Sequence, residues 1–378
     1  MPSLKRLIAA TSMAALVAAA TPARSEQNIS ARTDLHLRSA DAGYTNYRFR
    51  SGESLEHVKI HYVTLGNPHH GSDGNIDNAV LMLHGTAADG HSLTSEEYRE
   101  FLYSPGKPLD IRRYYVIVPD DIGHGKSSKP SDGLHMRFPH YGYADIVDLQ
   151  HRLVFQTLRI KHLHALIGMS MGGMNAWQWA EAYGSQVDGV MPVAASPVAI
   201  TGRNLLWRRW LISSITSAPD WNNGDYTRTP SGLVTGFQMM KIMLDGVPHL
   251  QHVVSSPANA SDYLNNTRLQ AEATDADDLL YAASAFADYN PEPSLASIQT
   301  NVYALEFSDD EINAGEFPYL PDLVRRIRSG RLLIQQGGPD SYGHLTIAHP
   351  RLWAKQVAQF MTFVERKQNQ PLTHTQAK

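Results

Sequence analysis

A serine set between glycines constrains the fold of this chain more than any other feature. The run Gly168-Met169-Ser170-Met171-Gly172-Gly173 follows an apolar stretch typical of a buried strand and precedes a helical pattern. A strand that turns sharply into a helix leaves no room for side chains beside the bend, and glycines at 168 and 172 meet that demand. Such a turn lifts the hydroxyl clear of the sheet and points the next helix's N-terminus at it. This context predicts that Ser170 is a nucleophile rather than an idle turn residue.

Strand-like and helical stretches alternate along most of the chain. Strands are predicted over 57–65, 79–83, 114–118, 163–167, 187–194, 302–307 and 331–335, and helices over 145–158, 171–183, 323–327 and 351–364. Several of the strands are apolar on both faces, which is typical of a sheet covered by helices on both sides. We therefore predict an α/β fold with a mostly parallel sheet.

One long segment interrupts this alternation. Residues 196–295 lack clear strands and contain helical patterns at 204–215, 233–244 and 276–286. An ordinary connection between two strands of one sheet is far shorter. Because strands resume afterwards, we predict a helical cap inserted into a core made of 26–195 and 296–378. A separate domain is the alternative.

The N-terminal residues 1–25 have the pattern of a secretory signal peptide. Lys5 and Arg6 precede an apolar, alanine-rich run, and small residues follow it. Cleavage is expected between Ala23 and Ser25. The apolar run is shorter than the roughly 18 residues that a membrane span requires, so a membrane anchor is the weaker alternative. We predict an exported protein, periplasmic or secreted, without a membrane span after cleavage.

The composition excludes several classes of function. The chain has no cysteine, which removes disulfides, thiolate catalysis and cysteine-ligated metals. Its formal net charge of -4 gives no electrostatic footprint for nucleic acid. None of the 18 histidines lies in an HExxH pattern, and Gly125-Lys126-Ser127 lacks the first glycine of a P-loop because Asp120 stands there. We therefore predict no metal and no cofactor.

A serine nucleophile needs a base and an acid that orients the base. In enzymes with this turn the order along the chain is Ser, Asp, His, and both partners follow late strands of the sheet. His344 follows the last predicted strand and is the predicted general base. Asp309 and Asp310 follow the strand before it. We favour Asp310 as the orienting acid and leave Asp309 open as the alternative.

The oxyanion of an acyl-transfer intermediate requires two backbone N–H donors. One is predicted from Met171, directly after the nucleophile, and the other from Thr86, in the loop after the strand at 79–83. The pair His84-Gly85 is expected to shape this second turn rather than to act as a base.

These residues give the chain a family resemblance. It resembles the homoserine O-acetyltransferase-like branch of the α/β-hydrolases, and so implies an α/β-hydrolase fold with a Ser170, Asp310 and His344 triad. The matching stretches are HYVTLG at 61–66, VLMLHG at 80–85, PDDIGHGKSS at 119–128, SMGGM at 170–174, YNP at 289–291 and DEIN at 310–313. The branch commonly has proline four residues after the acid, where this chain has Ala314. A homodimer is also what the resemblance suggests.

The resemblance implies an activity as well. Acetyltransferases of this branch carry an acyl group from coenzyme A to the hydroxyl of homoserine and hold the amino acid with an arginine of the cap. Arg203, Arg208 and Arg209 lie in the corresponding region, but no motif matches any of them to that role. We interpret them as arginines of an amphipathic cap helix with their charged heads in water.

The sequence therefore favours an exported serine hydrolase that cleaves a carboxylic ester or a related small acyl compound through an acyl-enzyme. Export separates the enzyme from cytoplasmic acyl-coenzyme A, and an unprotected acyl-enzyme reacts with water. An O-acyltransferase of the homoserine O-acetyltransferase type is the alternative. A catalytically silent binding protein on the same fold is the second alternative.

Overall fold

The computed structural model describes residues 37–368, which belong to one compact unit. The predicted signal peptide lies outside these residues. The described strands are β1 (Arg38–Arg48), β2 (Ser54–Leu65), β3 (Ala79–Leu83), β4 (Tyr115–Pro119), β5 (Ala165–Met169), β6 (Gly189–Val193), β7 (Asn301–Phe307) and β8 (Gly330–Gln335). Across residues 37–368, no helix is both long and apolar enough to cross a membrane.

All eight strands form one sheet in the order β1-β2-β4-β3-β5-β6-β7-β8. The strand β1 pairs with β2, and β2 with β4, in antiparallel fashion. The remaining six strands, from β4 to β8 in the sheet order, are parallel to one another. The central strands β3 to β6 are buried along their whole length, as the continuous apolar runs predicted. The predicted α/β fold with a mostly parallel sheet is confirmed.

Helices cover both faces of this sheet. The described helices are α1 (Glu96–Tyr98), α2 (Tyr143–Arg152), α3 (Met171–Tyr183), α4 (Gly202–Thr216), α5 (Ser231–Leu244), α6 (Val247–Val253), α7 (Pro257–Glu272), α8 (Ala276–Ser284), α9 (Leu320–Arg325) and α10 (Ala354–Gln368). Leu81 of β3 packs in the cluster that contains residues of α2 and α3, whereas its neighbour Val80 packs in the cluster of α1 and α10. Alternation of side chains along each strand thus feeds two cores.

Five of the helices, α4 to α8, lie between β6 and β7, where the sequence predicted a cap. They belong to the same compact unit as the sheet. The helices α6 and α7 were not predicted, and α7 buries only Thr267 and Ala271 among its residues. A helix with so small a buried face leaves a weak apolar period in the sequence.

The sheet creates a crevice at the carboxyl end of β3 and β5. The chain passes from β3 to β4 on one side and returns to β5 on the other, so the order of the strands reverses between β3 and β5. In open α/β sheets, such a switch point is where ligands bind. The turn after β3 begins at His84, and the turn after β5 is Ser170 itself.

Candidate active site

The turn at Ser170 has the strained backbone that its glycines predicted. Ser170 has φ 55° and ψ −115°, a conformation that L-residues rarely adopt. A Cβ at Gly168 would stand 2.0 Å from the carbonyl oxygen of Gly172, and one at Gly172 would stand 2.4 Å from that of Leu83. The packing of backbone against backbone therefore requires glycine at both positions. The strained turn lies at the carboxyl end of β5, next to the switch point of the sheet.

Three side chains from three separate loops meet at this hydroxyl. Ser170 Oγ lies 2.8 Å from His344 Nε2, and His344 Nδ1 lies 2.7 Å from Asp310 Oδ2. His344 and Asp310 are buried, with 4% and 1% of their surface exposed, whereas Ser170 is half-buried. This chain of hydrogen bonds can carry the serine proton to the imidazole and stabilise the imidazolium that forms.

The two adjacent aspartates face different partners. Asp310 Oδ1 accepts from the backbone N–H groups of Ile312 and Asn313, at 2.8 and 3.3 Å, and its Oδ2 accepts from the Asn313 amide. Asp309 does not contact the imidazole. Its Oδ2 accepts from Ser341 Oγ at 2.5 Å and from the N–H of Gly343 at 3.1 Å. Asp310 thus orients the histidine ring, and Asp309 holds the loop that carries it.

The predicted oxyanion donors lie on either side of Ser170. Met171 is the first residue of α3, where backbone N–H groups have no acceptor within the helix. Gly85, before Thr86, approaches the serine so closely that a Cβ there would stand 3.4 Å from Ser170 Cβ. Within residues 37–368, neither the Met171 nor the Thr86 N–H donates to a protein acceptor. Both are available to a substrate oxygen.

A polar wall with unsatisfied groups stands beside this turn. The hydroxyls of Thr86 and Tyr143 are buried near each other, and neither forms a hydrogen bond of good geometry in the described part of the chain. Burial raises the pKa of Tyr143, and the neighbouring side chains of Arg208 and Thr86 oppose that rise. Tyr143 therefore connects the Thr86 turn of the core to an arginine of the cap. Buried hydroxyls whose hydrogen bonds are incomplete need an explanation in a folded protein, and a polar ligand at this turn is one.

Arg208 is the arginine of this wall, and it is only 1% exposed. Its Nε donates to Asn204 Oδ1 at 3.0 Å, and its guanidinium lies over the rings of Trp207 and Phe286. No carboxylate among the described residues pairs with it. The interpretation of this arginine as a water-facing residue was wrong, because Asn204, Arg208 and the apolar residues of α4 share one buried face.

The other two cap arginines do not reach the wall. Arg203 is exposed and bonds Glu311 Oε2 at 2.5 Å, and Arg209 is exposed on the outer face of α4. Of the tryptophans of the cap, Trp207 and Trp221 are buried, whereas Trp210 is 46% exposed. The structure therefore separates one candidate substrate contact, Arg208, from two surface arginines.

A fully buried carboxyl lies behind the triad. Glu306, near the end of β7, accepts the N–H of Ala195 at 3.0 Å, and its second oxygen forms no hydrogen bond of good geometry in the described part of the chain. Burial raises the pKa of Glu306 well above its usual range, and the charge of Asp310 adds to the effect. Burial therefore favours the neutral form of Glu306, which limits the negative charge beside Asp310.

Sequence reasoning missed Tyr143, Asn313 and Glu306. Tyr143 lies just outside the helix predicted over 145–158, and the amide of Asn313 and the carboxyl of Glu306 have roles only through their contacts in space. Within residues 37–368, no group of three or more histidine, aspartate or glutamate side chains has the arrangement of a metal site.

Comparison with known proteins agrees with this geometry. The sequence profile of the alpha/beta hydrolase fold matches residues 78–296, more than half of the chain. The chain belongs to the α/β-hydrolase family. The family assignment accounts for the sheet order, the inserted helices and the placement of Ser170 after β5.

Its curated relatives include homoserine O-acyltransferases. The chain is 33% identical over 218 residues to a homoserine O-succinyltransferase of Magnetococcus marinus, and the matched region covers 54% of this chain and 54% of that protein. It is 34% identical over 204 residues to a homoserine O-acetyltransferase of Thermobifida fusca, covering 49% and 52%. The chain thus matches these relatives over about half of their length. The resemblance to this branch of the family is confirmed.

Solved structures show the same fold in an enzyme named for hydrolysis. An acetylester hydrolase from Corynebacterium glutamicum superimposes with a TM-score of 0.75 at 18% identity, over 86% of this chain and 96% of that one. At this identity the likeness shows the fold alone. Enzymes named as transferases and as a hydrolase are thus similar to this chain, and the fold does not choose between the two activities.

Proposed function

We propose that this protein is an O-acyltransferase of the homoserine O-acyltransferase type with a serine nucleophile. It transfers an acyl group to the hydroxyl of a small acceptor that carries a carboxylate. The observation that carries the proposal is the buried guanidinium of Arg208 beside Tyr143, without a carboxylate partner in the described chain. The homoserine O-acyltransferase relatives support the same reaction.

The triad supplies the chemistry. Ser170 Oγ attacks the acyl carbonyl carbon while His344 Nε2 takes its proton, and the N–H groups of Met171 and Thr86 receive the charge that develops on the carbonyl oxygen. The bond between the acyl carbon and the leaving group breaks, and His344 returns the proton to the leaving group. The acceptor hydroxyl then gives its proton to His344 and attacks the acyl carbon of the acyl-enzyme. The bond from that carbon to Ser170 Oγ breaks, His344 returns the proton to Oγ, and the acylated acceptor leaves.

Arg208 supports a carboxylate on the acceptor for an energetic reason. A charge removed from water and left without an opposite charge is costly, and contact with aromatic rings recovers only part of that cost. A substrate carboxylate would complete the site, with the guanidinium as a fork of donors. The buried hydroxyl of Tyr143 lies next to it and can donate to the same group.

An exported serine hydrolase is the second candidate. The signal-peptide pattern of residues 1–25 favours it, because an exported enzyme has no access to cytoplasmic acyl-coenzyme A. Export is the part of this second candidate that can be tested by itself, by N-terminal sequencing of the secreted or periplasmic protein. A mature N-terminus at Arg24, Ser25 or Glu26 is the expected result, and a full-length cytoplasmic protein would contradict it.

The acceptor experiment separates transfer from hydrolysis. The enzyme is acylated with an aryl acetate, and the ratio of acetylated acceptor to free acetate is measured with homoserine and with an amino alcohol that lacks the carboxylate. We expect acetylated acceptor to be the main product with homoserine, and free acetate to be the main product with the amino alcohol that lacks the carboxylate. Free acetate as the main product with both acceptors would favour the hydrolase, and failure of Ser170 to react with a fluorophosphonate would favour the silent binding protein.

A pair of variants tests the role of Arg208. Arg208→Met keeps an unbranched apolar stem and removes the charged guanidinium, and Arg209→Met is the control on the exposed face of the same helix. A hydrogen-bonded charge contributes about 1.5–3 kcal/mol, so kcat/KM for homoserine should fall about 10- to 150-fold in Arg208→Met. Hydrolysis of the neutral aryl acetate should stay within about threefold in both variants, because that substrate makes no ionic contact. An equal loss for both substrates would refute the role.

A further inference from the structure

Two loops meet behind the predicted oxyanion turn: residues 84–91, after β3, and residues 120–127, after β4. Asp120 joins them, because its Oδ1 accepts the N–H of Gly90 at 2.7 Å and its Oδ2 accepts the N–H of Lys126 at 2.8 Å. The side chain of Asp120 is buried, so water competes little for these bonds. The position of one loop therefore depends on the other.

The ring of His84 fixes the first peptide of the turn. Its Nδ1–H donates to the Gly85 carbonyl at 2.9 Å, and its Nε2 accepts the N–H of Asp121 at 3.1 Å. These two contacts require a neutral ring, and burial, which lowers the pKa of His84, favours that state. The carbonyl of Gly85 and the N–H of Thr86 belong to one planar trans peptide and point in opposite directions. Holding the carbonyl therefore sets the direction of the Thr86 N–H.

His124 stands where it can fix the second peptide. Its Nε2 lies 3.0 Å from the Thr86 carbonyl, its Nδ1 lies 3.0 Å from the Ile122 carbonyl, and its ring meets the His84 ring edge-on at 5.0 Å. Both neighbours of His124 are acceptors. A neutral ring donates to one of them, and only an imidazolium donates to both. Burial lowers the pKa of His124 and the nearby His84 adds to that, whereas Asp121 opposes it.

We propose that His124 is a positioning residue for the acyl-transfer reaction: its Nε2–H holds the carbonyl of Thr86. With His84, it fixes the peptides on both sides of Thr86, so that the N–H of Thr86 faces the oxyanion and its hydroxyl faces Tyr143. The inference rests on the proposed function, because it needs an acyl intermediate at Ser170.

The consequence is a prearranged oxyanion site. A donor that is already aimed at the developing charge lowers the barrier of the chemical step, whereas a donor that must first reorient does not. Loss of the His124 contact should therefore lower kcat and leave KM almost unchanged, because the ground-state carbonyl gains little from this donor.

Two amide variants separate the two ring nitrogens. The amide nitrogen of glutamine in His124→Gln can take the place of Nε2 and reach the Thr86 carbonyl. The shorter side chain in His124→Asn can take only the place of Nδ1, facing Ile122. The control is His164→Asn, which replaces another buried histidine. His164 lies directly before β5, at the opposite end of that strand from Ser170, and its ring stacks on the ring of Tyr114.

The assay is aryl acetate turnover, together with the infrared carbonyl frequency of the acyl-enzyme, which rises when hydrogen bonds to the carbonyl oxygen weaken. Removal of a whole oxyanion donor costs about 100- to 1,000-fold in kcat, so a misaligned donor should cost about 10- to 100-fold. We expect that loss and a raised carbonyl frequency in His124→Asn, with KM within about threefold. We expect near wild-type kcat in His124→Gln and His164→Asn.

The outcomes are distinct. A wild-type enzyme that forms no acyl-enzyme contradicts the proposed function itself. An active wild type with His124→Asn within about threefold of its kcat overturns the role of His124, and so does a His124→Gln variant as impaired as His124→Asn. If His124→Asn does not fold, the carbonyl frequency in His124→Gln decides, since a shift away from the wild-type frequency would contradict donation from the position of Nε2.

Discussion

Replacing the two neighbouring aspartates one at a time tests the division of roles between them. In Asp310→Asn the side-chain oxygen will stay on the backbone N–H groups of Ile312 and Asn313, because an amide nitrogen there would face two donors. The amide nitrogen then faces His344 Nδ1, which lies 2.7 Å from Oδ2 in the native enzyme. The ring must move its proton to Nε2, where it can no longer accept the proton of Ser170.

The expected loss is large for Asp310 and small for Asp309. A histidine held in the wrong tautomer lowers kcat about 10,000-fold, which is about 5.4 kcal/mol of transition-state stabilisation. In Asp309→Asn the amide oxygen can still accept from Ser341 Oγ and from the Gly343 N–H. Only the charge assistance is lost, so kcat should fall less than about tenfold and the free energy of unfolding by about 1 kcal/mol.

The assay is the pre-steady-state burst with an aryl acetate, which reports acylation separately from turnover, and urea unfolding checks that both variants are folded. Because the acetyl group is small, differences in how the cap binds the substrate contribute little to this comparison. If Asp309→Asn is the more damaging change, or if both variants keep a wild-type burst, the assignment of Asp310 as the orienting acid is refuted.

Three further predictions concern the turn and the buried acid. Gly168→Ala should destabilise the protein by about 3 kcal/mol in urea unfolding, because its Cβ would meet the Gly172 carbonyl. Ser170→Gly should be about 1 kcal/mol more stable than Ser170→Ala, since both lose the hydroxyl but only glycine relieves the positive φ; equal stabilities would contradict strain at the turn. The folded state keeps the proton of Glu306 at pH values where the unfolded chain has released it, so wild-type stability is lost as pH rises above the usual value near 4.5. Glu306→Gln lacks this loss, and its advantage in unfolding free energy should grow by up to about 1.4 kcal/mol per pH unit from about pH 5 upward; a constant difference would show that Glu306 is ionised.

Local patterns predicted the parts of the fold that are set locally. The elbow at Ser170 is recognisable because its glycines, its strand and its helix are adjacent in sequence. The strand β1 was missed because it lies at the edge of the sheet and exposes most of its residues, with only Ala42 and Tyr47 buried. A strand that buries so few side chains shows no clear alternation of apolar and polar residues.

The burial of Arg208 had a signal that the sequence analysis did not use. The buried positions of α4 are 204, 207, 208, 211 and 215, which follow the spacing of one helix face. Trp207, Leu211 and Ile215 alone would have placed Arg208 on the inner side of the helix and its neighbour Arg209 on the outer side. The contact with Tyr143 could not be predicted in this way, because it depends on how the cap packs on the core.

The choice between transfer and hydrolysis is set by the pocket rather than by the triad. A triad of Ser170, His344 and Asp310 can activate water as readily as an acceptor hydroxyl, since the imidazole removes a proton in either case. Transfer competes with abundant water only if the acceptor is held against the acyl carbon, where correct orientation is equivalent to an effective concentration of about 10⁵ M or more. In the proposed function Arg208 and Tyr143 hold the acceptor in that way, so Arg208→Met is expected to leave an esterase rather than an inactive protein. If that variant loses both acylation of Ser170 and transfer to the acceptor, the guanidinium supports the triad rather than binding the acceptor.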